Sequence, residues 1–209
     1  MSRDLALSDA EVLALGERGW FLRDGLLGRP AAAAIHDHIE TLAATGRLRP
    51  AGLSRGAGYR VDQAVRGDAI LWVEPADVPP ELAPLWETFL ALRDALNRQA
   101  YLAVDRMEVQ IARYPGDGAA YDRHRDAFVA LPGARPNRRV TAIYYANPAW
   151  TPEAGGVLRL HDPEGPVDVA PVLDRLLVFL SERIDHEVLP TLAPRCAVTA
   201  WFRPRDPLG

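Results

Sequence analysis

Lysine is absent from this chain of 209 residues, in which all 24 basic side chains are arginine. Its absence excludes a lysine Schiff base and a P-loop, since both need the lysine amine. Only one cysteine, Cys196, is present, which excludes an internal disulfide framework and indicates a reducing compartment. No apolar run approaches the roughly 20 residues of a membrane helix, and the N-terminus lacks the pattern of a secretory signal. We therefore expect a cytoplasmic protein that does not enter a membrane.

The charge and length of the chain narrow the class further. A formal net charge of −4 argues against a dedicated nucleic-acid binder. With 209 residues and 48% hydrophobic side chains, the chain is long enough for one domain with a substantial core. We expect a monomer.

The first half of the sequence has helical signals. Ser8 and Glu11 form a capping-box pattern that opens a helix ending at Gly19. Pro30 begins a second helix, and apolar residues at helical spacing predict a third over residues 80–101. Between the first two helices, "WFLRDGLL" predicts a short strand and a turn.

The second half has the pattern of a β protein. From Val104 onward, short strand-like runs alternate with Gly, Pro, Asn and Asp, which is typical of an antiparallel sandwich or barrel. The runs are "VDRMEVQIARY", "YDRHRDAF", "RRVTAIYYAN", "GGVLRLHD", "DRLLVFLS", "HEVLP" and "RCAVTAWFR".

Residues 47–67 form a stretch rich in glycine and arginine with little apolar periodicity. A long loop in a compact domain is usually functional or mobile, so we expect a lid that closes over the substrate. The segment carries four arginines, Arg47, Arg49, Arg55 and Arg60, and one acidic residue, Asp62. This excess of positive charge favours a partner with an acidic surface.

A metal-binding pattern lies in "YDRHRDAF". His124 and Asp126 are two positions apart, so on a strand both side chains leave the same face. His186 is the candidate third ligand, and two imidazoles with one carboxylate form the facial triad of non-haem Fe(II) sites. Arg195 follows nine positions later and can bind a carboxylate through two hydrogen bonds.

Together these features resemble the catalytic core of the Fe(II)- and 2-oxoglutarate-dependent prolyl hydroxylases, both the oxygen-sensing type and its bacterial relatives. The resemblance extends from about Asp105 to Phe202, and the upstream "RGDAILWVE" also matches. It implies an α+β, mainly β fold: a double-stranded β-helix, or cupin-like jelly roll, with supporting N-terminal helices. The implied single domain spans residues 1–209, with helical support and the substrate loop in 1–103 and the jelly-roll catalytic core in 104–204.

The resemblance also implies roles for individual residues. His124, Asp126 and His186 would bind Fe(II), and no catalytic residue is implied beyond these ligands. Co-substrate binding would fall to Arg195 and Tyr145, which would hold the distal carboxylate of 2-oxoglutarate, and to Tyr114 and Thr199, which would line its pocket. The residues near the substrate entrance would be Arg66, Asp68, Tyr121, Arg138 and Trp201.

The expected reaction is hydroxylation of a prolyl residue in a protein by O2, with conversion of 2-oxoglutarate to succinate and CO2 and with ascorbate in a supporting role. Bacterial relatives suggest a translation factor as the substrate. Two alternatives stay open: hydroxylation of a free amino acid or small metabolite, and a metal-holding jelly roll that acts as a sensor without turnover. A polypeptide needs an open groove and a small substrate an enclosed pocket, and the sequence does not distinguish these shapes.

Several further residues have simpler interpretations. Tyr144 and Tyr145 are adjacent, so on a strand one of them faces the core, and only the resemblance selects Tyr145 for the pocket. We expect His36 and His38 to lie on the surface of a helix, and His161 to lie in a solvated turn.

Overall fold

The computed structural model describes residues 5–52, 66–127 and 137–205. Its helices are α1 (Asp9–Glu17), α2 (Arg29–Ala44) and α3 (Ala83–Gln99). Its strands are β1 (Trp20–Asp24), β2 (Arg49–Pro50), β3 (Ala69–Val73), β4 (Val104–Tyr114), β5 (Tyr121–His124), β6 (Val140–Tyr145), β7 (Leu158–Asp162), β8 (Gly165–Val169), β9 (Arg175–Leu180), β10 (Asp185–Val188) and β11 (Arg195–Pro204). Within these residues no helix has the length and apolarity to cross a membrane.

The helix signals in the sequence are confirmed. In α1 the Ser8 side chain accepts a hydrogen bond from the Glu11 backbone, and the Glu11 carboxylate accepts one from the Ser8 backbone, which satisfies two of the free N–H groups at the helix start. Pro30 is the second residue of α2, where a missing N–H group costs nothing. The apolar face of α3 is buried, including Phe89 and Leu92.

The strands form two antiparallel sheets. The larger sheet has seven strands in the order β1-β9-β6-β11-β4-β3-β2, and the smaller has four in the order β5-β10-β7-β8. The mainly β, jelly-roll class that the sequence predicts is therefore observed, with the helices as supporting elements.

Each face of the larger sheet buries a separate apolar core. One core lies between the two sheets and includes Tyr145, Leu160 and Phe179. The other lies between the larger sheet and the helices and includes Ile35 and Phe89. Because side chains alternate along a strand, the inward face of the larger sheet is free to carry site residues while its outer face anchors the helices.

The N-terminal half contributes more to the sheets than the sequence indicates. Three strands before residue 104, β1, β2 and β3, belong to the larger sheet, although only β1 is predicted. β8 is also missed, because it is only five residues long, its second residue is a proline, and its alternation rests on two valines, Val167 and Val169. Part of the predicted 47–67 loop is strand β2, paired with β3. Most of the predicted 47–67 lid, residues 53–65, lies outside the described residues.

The expectations for three histidines are wrong. His36 is half-buried, with Nδ1 at 2.8 Å from the Ala146 carbonyl oxygen. His38 is also half-buried, with Nδ1 at 3.4 Å from the Glu81 carboxylate. His161 belongs to β7 rather than to a turn, and its Nε2 lies 3.0 Å from the Glu187 carboxylate. Helical and strand neighbours cover these side chains, which the local sequence does not reveal.

Candidate active site

His124 and His186 lie side by side on two neighbouring strands of the smaller sheet. Strands β5 and β10 are antiparallel neighbours, and these two residues are paired in the register, with ring centroids 4.2 Å apart. With Asp126 they form a group whose nitrogen and oxygen atoms all lie within 4.8 Å of one another. The structure thus brings the three predicted metal ligands together.

Asp126 reaches the group by a different route from the one expected. Strand β5 ends at His124, so Asp126 lies in the bend that follows the strand rather than on it. Its carboxylate is 7% exposed and is fixed by a 2.8 Å hydrogen bond from the Thr141 hydroxyl to Oδ2. Tertiary contact with β6, and not strand alternation, therefore orients the carboxylate.

The charge state of Asp126 suits a cation. Burial alone would raise the pKa of its carboxyl, but the His186 and His124 imidazoles and the Arg138 guanidinium bring the pKa below its ordinary value. The carboxyl oxygens lie 3.8 Å from Nε2 of His124 and 3.7 Å from Nε2 of His186. The group is a carboxylate between two imidazoles at neutral pH.

Both imidazoles are arranged as ligands. Nδ1 of His124 is 2.8 Å from the Asp122 carbonyl oxygen and Nδ1 of His186 is 3.5 Å from that of Ile184. A carbonyl can only accept, so Nδ1 of His124 carries the proton and Nε2 presents a lone pair toward Asp126. Burial, followed by the neighbouring His186, lowers the pKa of His124 to about 4, so its imidazole is neutral. Two imidazoles and a carboxylate, with one side open to a pocket, fit the donor set of a non-haem Fe(II) ion.

One pocket of about 100 Å³ adjoins the triad. It is lined by eleven of the twelve predicted site residues: His124, Asp126, His186, Arg195, Tyr114, Thr199, Arg66, Asp68, Tyr121, Arg138 and Trp201. Tyr145 lies beside it rather than on its wall. The spacing of Tyr144 and Tyr145 could not decide which one faces this side, and the structure shows it: Tyr145 belongs to the core between the sheets and Tyr144 to the core under the helices.

Arg195 lies at the inner end of the pocket with its charge unmatched. It is 4% exposed, its Nε donates to the Gly156 carbonyl oxygen at 2.8 Å, and its guanidinium lies 5.2 and 5.1 Å from the rings of Tyr114 and Tyr145. No carboxylate of the described residues forms an ion pair with it. A buried guanidinium between two phenols can bind an incoming carboxylate through paired hydrogen bonds.

The hydroxyl of Tyr145 adds a second polar group with an open role. It is buried and has no hydrogen-bond partner among the described residues. Burial raises the pKa of Tyr145 to about 12, although the Arg195 guanidinium works against the rise, so the phenol keeps its proton and can donate. Buried polar groups are seldom left unpaired, and an acceptor from a bound carboxylate would satisfy both residues.

Gly156 gives Arg195 the room it needs. A Cβ atom on this residue would lie 2.8 Å from Cγ2 of Thr191 and 3.0 Å from Cδ of Arg195, and its φ is +68°. Only glycine adopts this conformation without strain and allows the approach of the arginine.

A charged and aromatic network surrounds the outer part of the pocket. Arg66 donates to both carboxyl oxygens of Asp68 at 2.7 and 2.9 Å and to the side-chain oxygen of Gln110 at 2.9 Å. Its guanidinium lies 4.7 Å from the Tyr121 ring, which stacks on His124 at 3.8 Å. Arg66 thus contacts the triad ligand His124 through the ring of Tyr121.

Arg138 and Trp201, which also line the pocket, contact each other. The Arg138 guanidinium lies 4.0 Å from the Trp201 ring, and Trp201 in turn lies 5.6 Å from Trp72. Cation–π contacts of this kind hold an arginine over an aromatic surface.

Seven further residues line the pocket but are not predicted as site residues from the sequence. They are Trp72, Gln110, Ala112, Ile143, Leu158, Val188 and Ala197. Gln110 and Ala112 could have been predicted, because they lie four and two positions before Tyr114 on β4 and therefore share its face of the strand. Ala197 alternates in the same way with Arg195 and Thr199 on β11.

Comparison with known proteins gives a consistent set of relatives. Residues 109–203 match the family model described as the 2OG-Fe(II) oxygenase superfamily. The human protein named prolyl hydroxylase EGLN3 is 34% identical over 200 residues, which is 90% of this chain and 80% of that protein. The chain spans about half the length of the relatives named Egl nine homolog 1.

Solved structures agree with this set. A Pseudomonas putida prolyl-4-hydroxylase is 34% identical with a TM-score of 0.81, over 94% of this chain and 98% of that one. A prolyl hydroxylase from Trichoplax adhaerens, solved with a peptide fragment of the hypoxia-inducible factor oxygen degradation domain, is 27% identical with a TM-score of 0.79, over 92% and 87% of the two chains.

Proposed function

This chain belongs to the prolyl hydroxylases of the 2OG-Fe(II) oxygenase superfamily, and on that footing we propose that it hydroxylates a proline within a protein substrate. The observation that carries the proposal is the single pocket that joins the His-Asp-His group to the unmatched guanidinium of Arg195. Enzymes of this superfamily use Fe(II), 2-oxoglutarate and O2.

We assign the metal to His124, Asp126 and His186. Bound there, Fe(II) supplies the oxidative chemistry that couples decarboxylation of 2-oxoglutarate to hydroxylation, with succinate and CO2 as by-products. The protein holds the two imidazoles and the carboxylate in place through Asp122, Ile184 and Thr141. With three protein ligands, the metal would keep positions for the co-substrate and O2.

The co-substrate is assigned to the inner end of the pocket. The Arg195 guanidinium and the Tyr145 hydroxyl would hold the distal carboxylate of 2-oxoglutarate, with Tyr114 and Thr199 beside it. Support comes from the burial of Arg195 and from the unpaired Tyr145 hydroxyl, because a carboxylate would balance the charge of the arginine and accept a hydrogen bond from the phenol. Ascorbate would support the enzyme by keeping the metal reduced.

The substrate is assigned to the outer part of the pocket, near Arg66, Asp68, Tyr121, Arg138 and Trp201. The peptide bound to the Trichoplax adhaerens relative supports a protein substrate, and we propose a translation factor as its carrier. The 47–67 segment would act as the substrate lid. We further propose that the enzyme works as a cytoplasmic monomer, with the jelly roll of residues 104–204 as its catalytic core.

The test is an assay of 2-oxoglutarate turnover by the purified chain with Fe(II), O2 and ascorbate. Succinate formation is measured alone, with free L-proline, and with a purified translation factor offered as a folded protein. We expect strong stimulation and proline hydroxylation with the protein and none with the free amino acid. Stimulation and hydroxylation confined to free L-proline would overturn the protein substrate and favour a small-molecule hydroxylase.

A further inference from the structure

A second group of potential metal ligands lies behind the co-substrate pocket. Among the residues that the structure describes, two groups of three such side chains have all their ligand atoms within 4.8 Å: the triad, and His36, Glu40 and Cys196. The assigned reaction uses none of the second three.

The fold brings these three residues together for reasons visible in the sequence. His36 and Glu40 are four positions apart on α2 and so share one face of the helix. Cys196 follows Arg195 on β11, so the two side chains point to opposite faces of the larger sheet. Arg195 therefore enters the pocket and Cys196 meets α2.

The imidazole of His36 is already arranged as a ligand. Its Nδ1 lies 2.8 Å from the Ala146 carbonyl oxygen, which can only accept, so Nδ1 carries the proton and Nε2 has a free lone pair. Metal-binding histidines commonly make this contact with a backbone carbonyl, because it fixes the tautomer and the ring orientation.

The spacing of the other two ligands matches a tetrahedral ion. Sγ of Cys196 lies 3.4 Å from Oε1 of Glu40. A zinc ion with bonds of about 2.3 Å to sulfur and 2.0 Å to oxygen would separate these atoms by about 3.5 Å in a tetrahedral site. The ion would thus occupy the place of the thiol proton, with little movement of either side chain.

Two features oppose binding and determine which ion can succeed. Burial, and then the Glu40 carboxylate, raise the pKa of the Cys196 thiol, so the metal must displace a proton to solvent. Arg113 also holds Glu40, with contacts of 2.9 and 3.0 Å to its two oxygens, and its charge repels a cation. Hard ions such as Mg²⁺ gain little from sulfur, whereas Zn²⁺ binds thiolate and imidazole well.

We propose that His36, Glu40 and Cys196 form a second site, for a divalent ion of the zinc class, with water in the fourth position. Glu40 is 35% exposed at its side chain, which gives the ion a route from solvent. The second site also lies next to the residues assigned to the co-substrate. Cys196 follows Arg195, Ala146 follows Tyr145, and Arg113 precedes Tyr114 in the chain. Bound metal would link α2 to β11 through its three ligands.

The test uses Co²⁺ as a spectroscopic probe for Zn²⁺. Thiolate bound to Co²⁺ gives a near-ultraviolet charge-transfer band, and Cys196 is the one cysteine of the chain. The double variant His124→Ala/His186→Ala removes the triad, so titration of this variant reports the second site apart from the catalytic one. We expect the band to saturate at one equivalent of Co²⁺ and Zn²⁺ to displace it.

Matched variants then identify the ligands. In the same background, Cys196→Ser should abolish the band, and His36→Ala and Glu40→Gln should weaken Co²⁺ binding by more than the roughly tenfold loss typical of an outer contact. Arg113→Met should strengthen binding, and His38→Ala, on the same helix, should leave it unchanged. Circular dichroism checks the fold of each variant.

Two results would overturn the second site. One is the absence of a thiolate band at excess Co²⁺ in the folded triad variant. The other is a band equally strong in His36→Ala and Glu40→Gln, since the cysteine would then bind metal without the other two. Neither result bears on prolyl hydroxylation, which is measured separately by 2-oxoglutarate turnover.

Discussion

The hydroxyl of Thr141 donates a 2.8 Å hydrogen bond to Oδ2 of Asp126, and both side chains are buried. A hydroxyl has one proton, so the Ser181 hydroxyl, 2.8 Å from that of Thr141, must be the donor in the second contact. This chain of two bonds restrains the carboxylate that the strand geometry leaves free, because β5 ends two residues before it.

Thr141→Val should therefore impair the metal site without removing a ligand. Valine has nearly the shape of threonine but cannot hold the carboxylate, and outer contacts of this kind change metal affinity or activity by about 10- to 100-fold. The measurement is anaerobic Fe(II) titration together with 2-oxoglutarate turnover. Thr141→Ser, which keeps the hydroxyl, is the control and should stay near the parent. A Thr141→Val protein with parental affinity and rate would show that the bond does not position Asp126.

Loss of either imidazole should abolish turnover. In His124→Ala or His186→Ala two protein donors remain, too few for a stable facial site, and we expect no Fe(II)-dependent succinate formation above background with the fold intact. His161→Ala is the matched control, because this histidine lies on neighbouring β7 but does not line the pocket. Parental rates in the first two variants would remove the metal assignment.

Arg195→Lys tests the co-substrate end of the pocket. Lysine keeps the charge but loses the planar fork and the Nε contact to Gly156, so the KM for 2-oxoglutarate should rise by tenfold or more, on the order of the 1.5–3 kcal/mol of a charged hydrogen bond. The midpoint of thermal unfolding should change much less. Arg159→Lys, in an exposed ion pair with Asp168, serves as control. Unchanged 2-oxoglutarate affinity in Arg195→Lys would assign the arginine a structural role.

Two arginine–aspartate pairs with the same two-bond geometry should differ in their effect on stability. Asp68 is 1% exposed opposite Arg66 at 13%, whereas Asp168 is 44% exposed opposite Arg159 at 34%. Asp68→Asn leaves a buried guanidinium without its counter-charge and should lower the free energy of unfolding by about 3–5 kcal/mol, measured by urea denaturation. Asp168→Asn should be indistinguishable from the parent. Equal small effects would mean that solvent reaches Arg66.

The sequence predicts the site better than the strands that carry it. Helix starts are local signals, as at Ser8 and Glu11. The site is recognisable because His124, Asp126 and His186 occur together with Arg195 nine positions after the second histidine. The pairing of His124 with His186, by contrast, depends on which strands become neighbours, and adjacent positions in the chain carry no such information. The position of Asp126 shows the same limit: alternation predicts the right convergence, but the carboxylate is placed by Thr141 on another strand.

Short strands and buried polar residues account for the remaining differences. β3 pairs with β4, which is distant in sequence, whereas β8 is the short hairpin partner of β7 and carries a proline and only two valines. The amphipathic pattern of its helix predicts a surface position for His36, but the imidazole contacts the Ala146 carbonyl oxygen just after the end of β6. Long-range packing decides such cases, and a single sequence does not show it.

The most direct test of the central claim is mass spectrometry of proteins from cells with and without this enzyme. The account predicts a mass increase of one oxygen atom on a specific proline of a protein, present with the parent enzyme and absent with His124→Ala. The same proline should be modified in vitro by the purified chain with Fe(II), 2-oxoglutarate and O2. Active turnover of 2-oxoglutarate without any enzyme-dependent proline oxidation in either experiment would contradict prolyl hydroxylation of a protein.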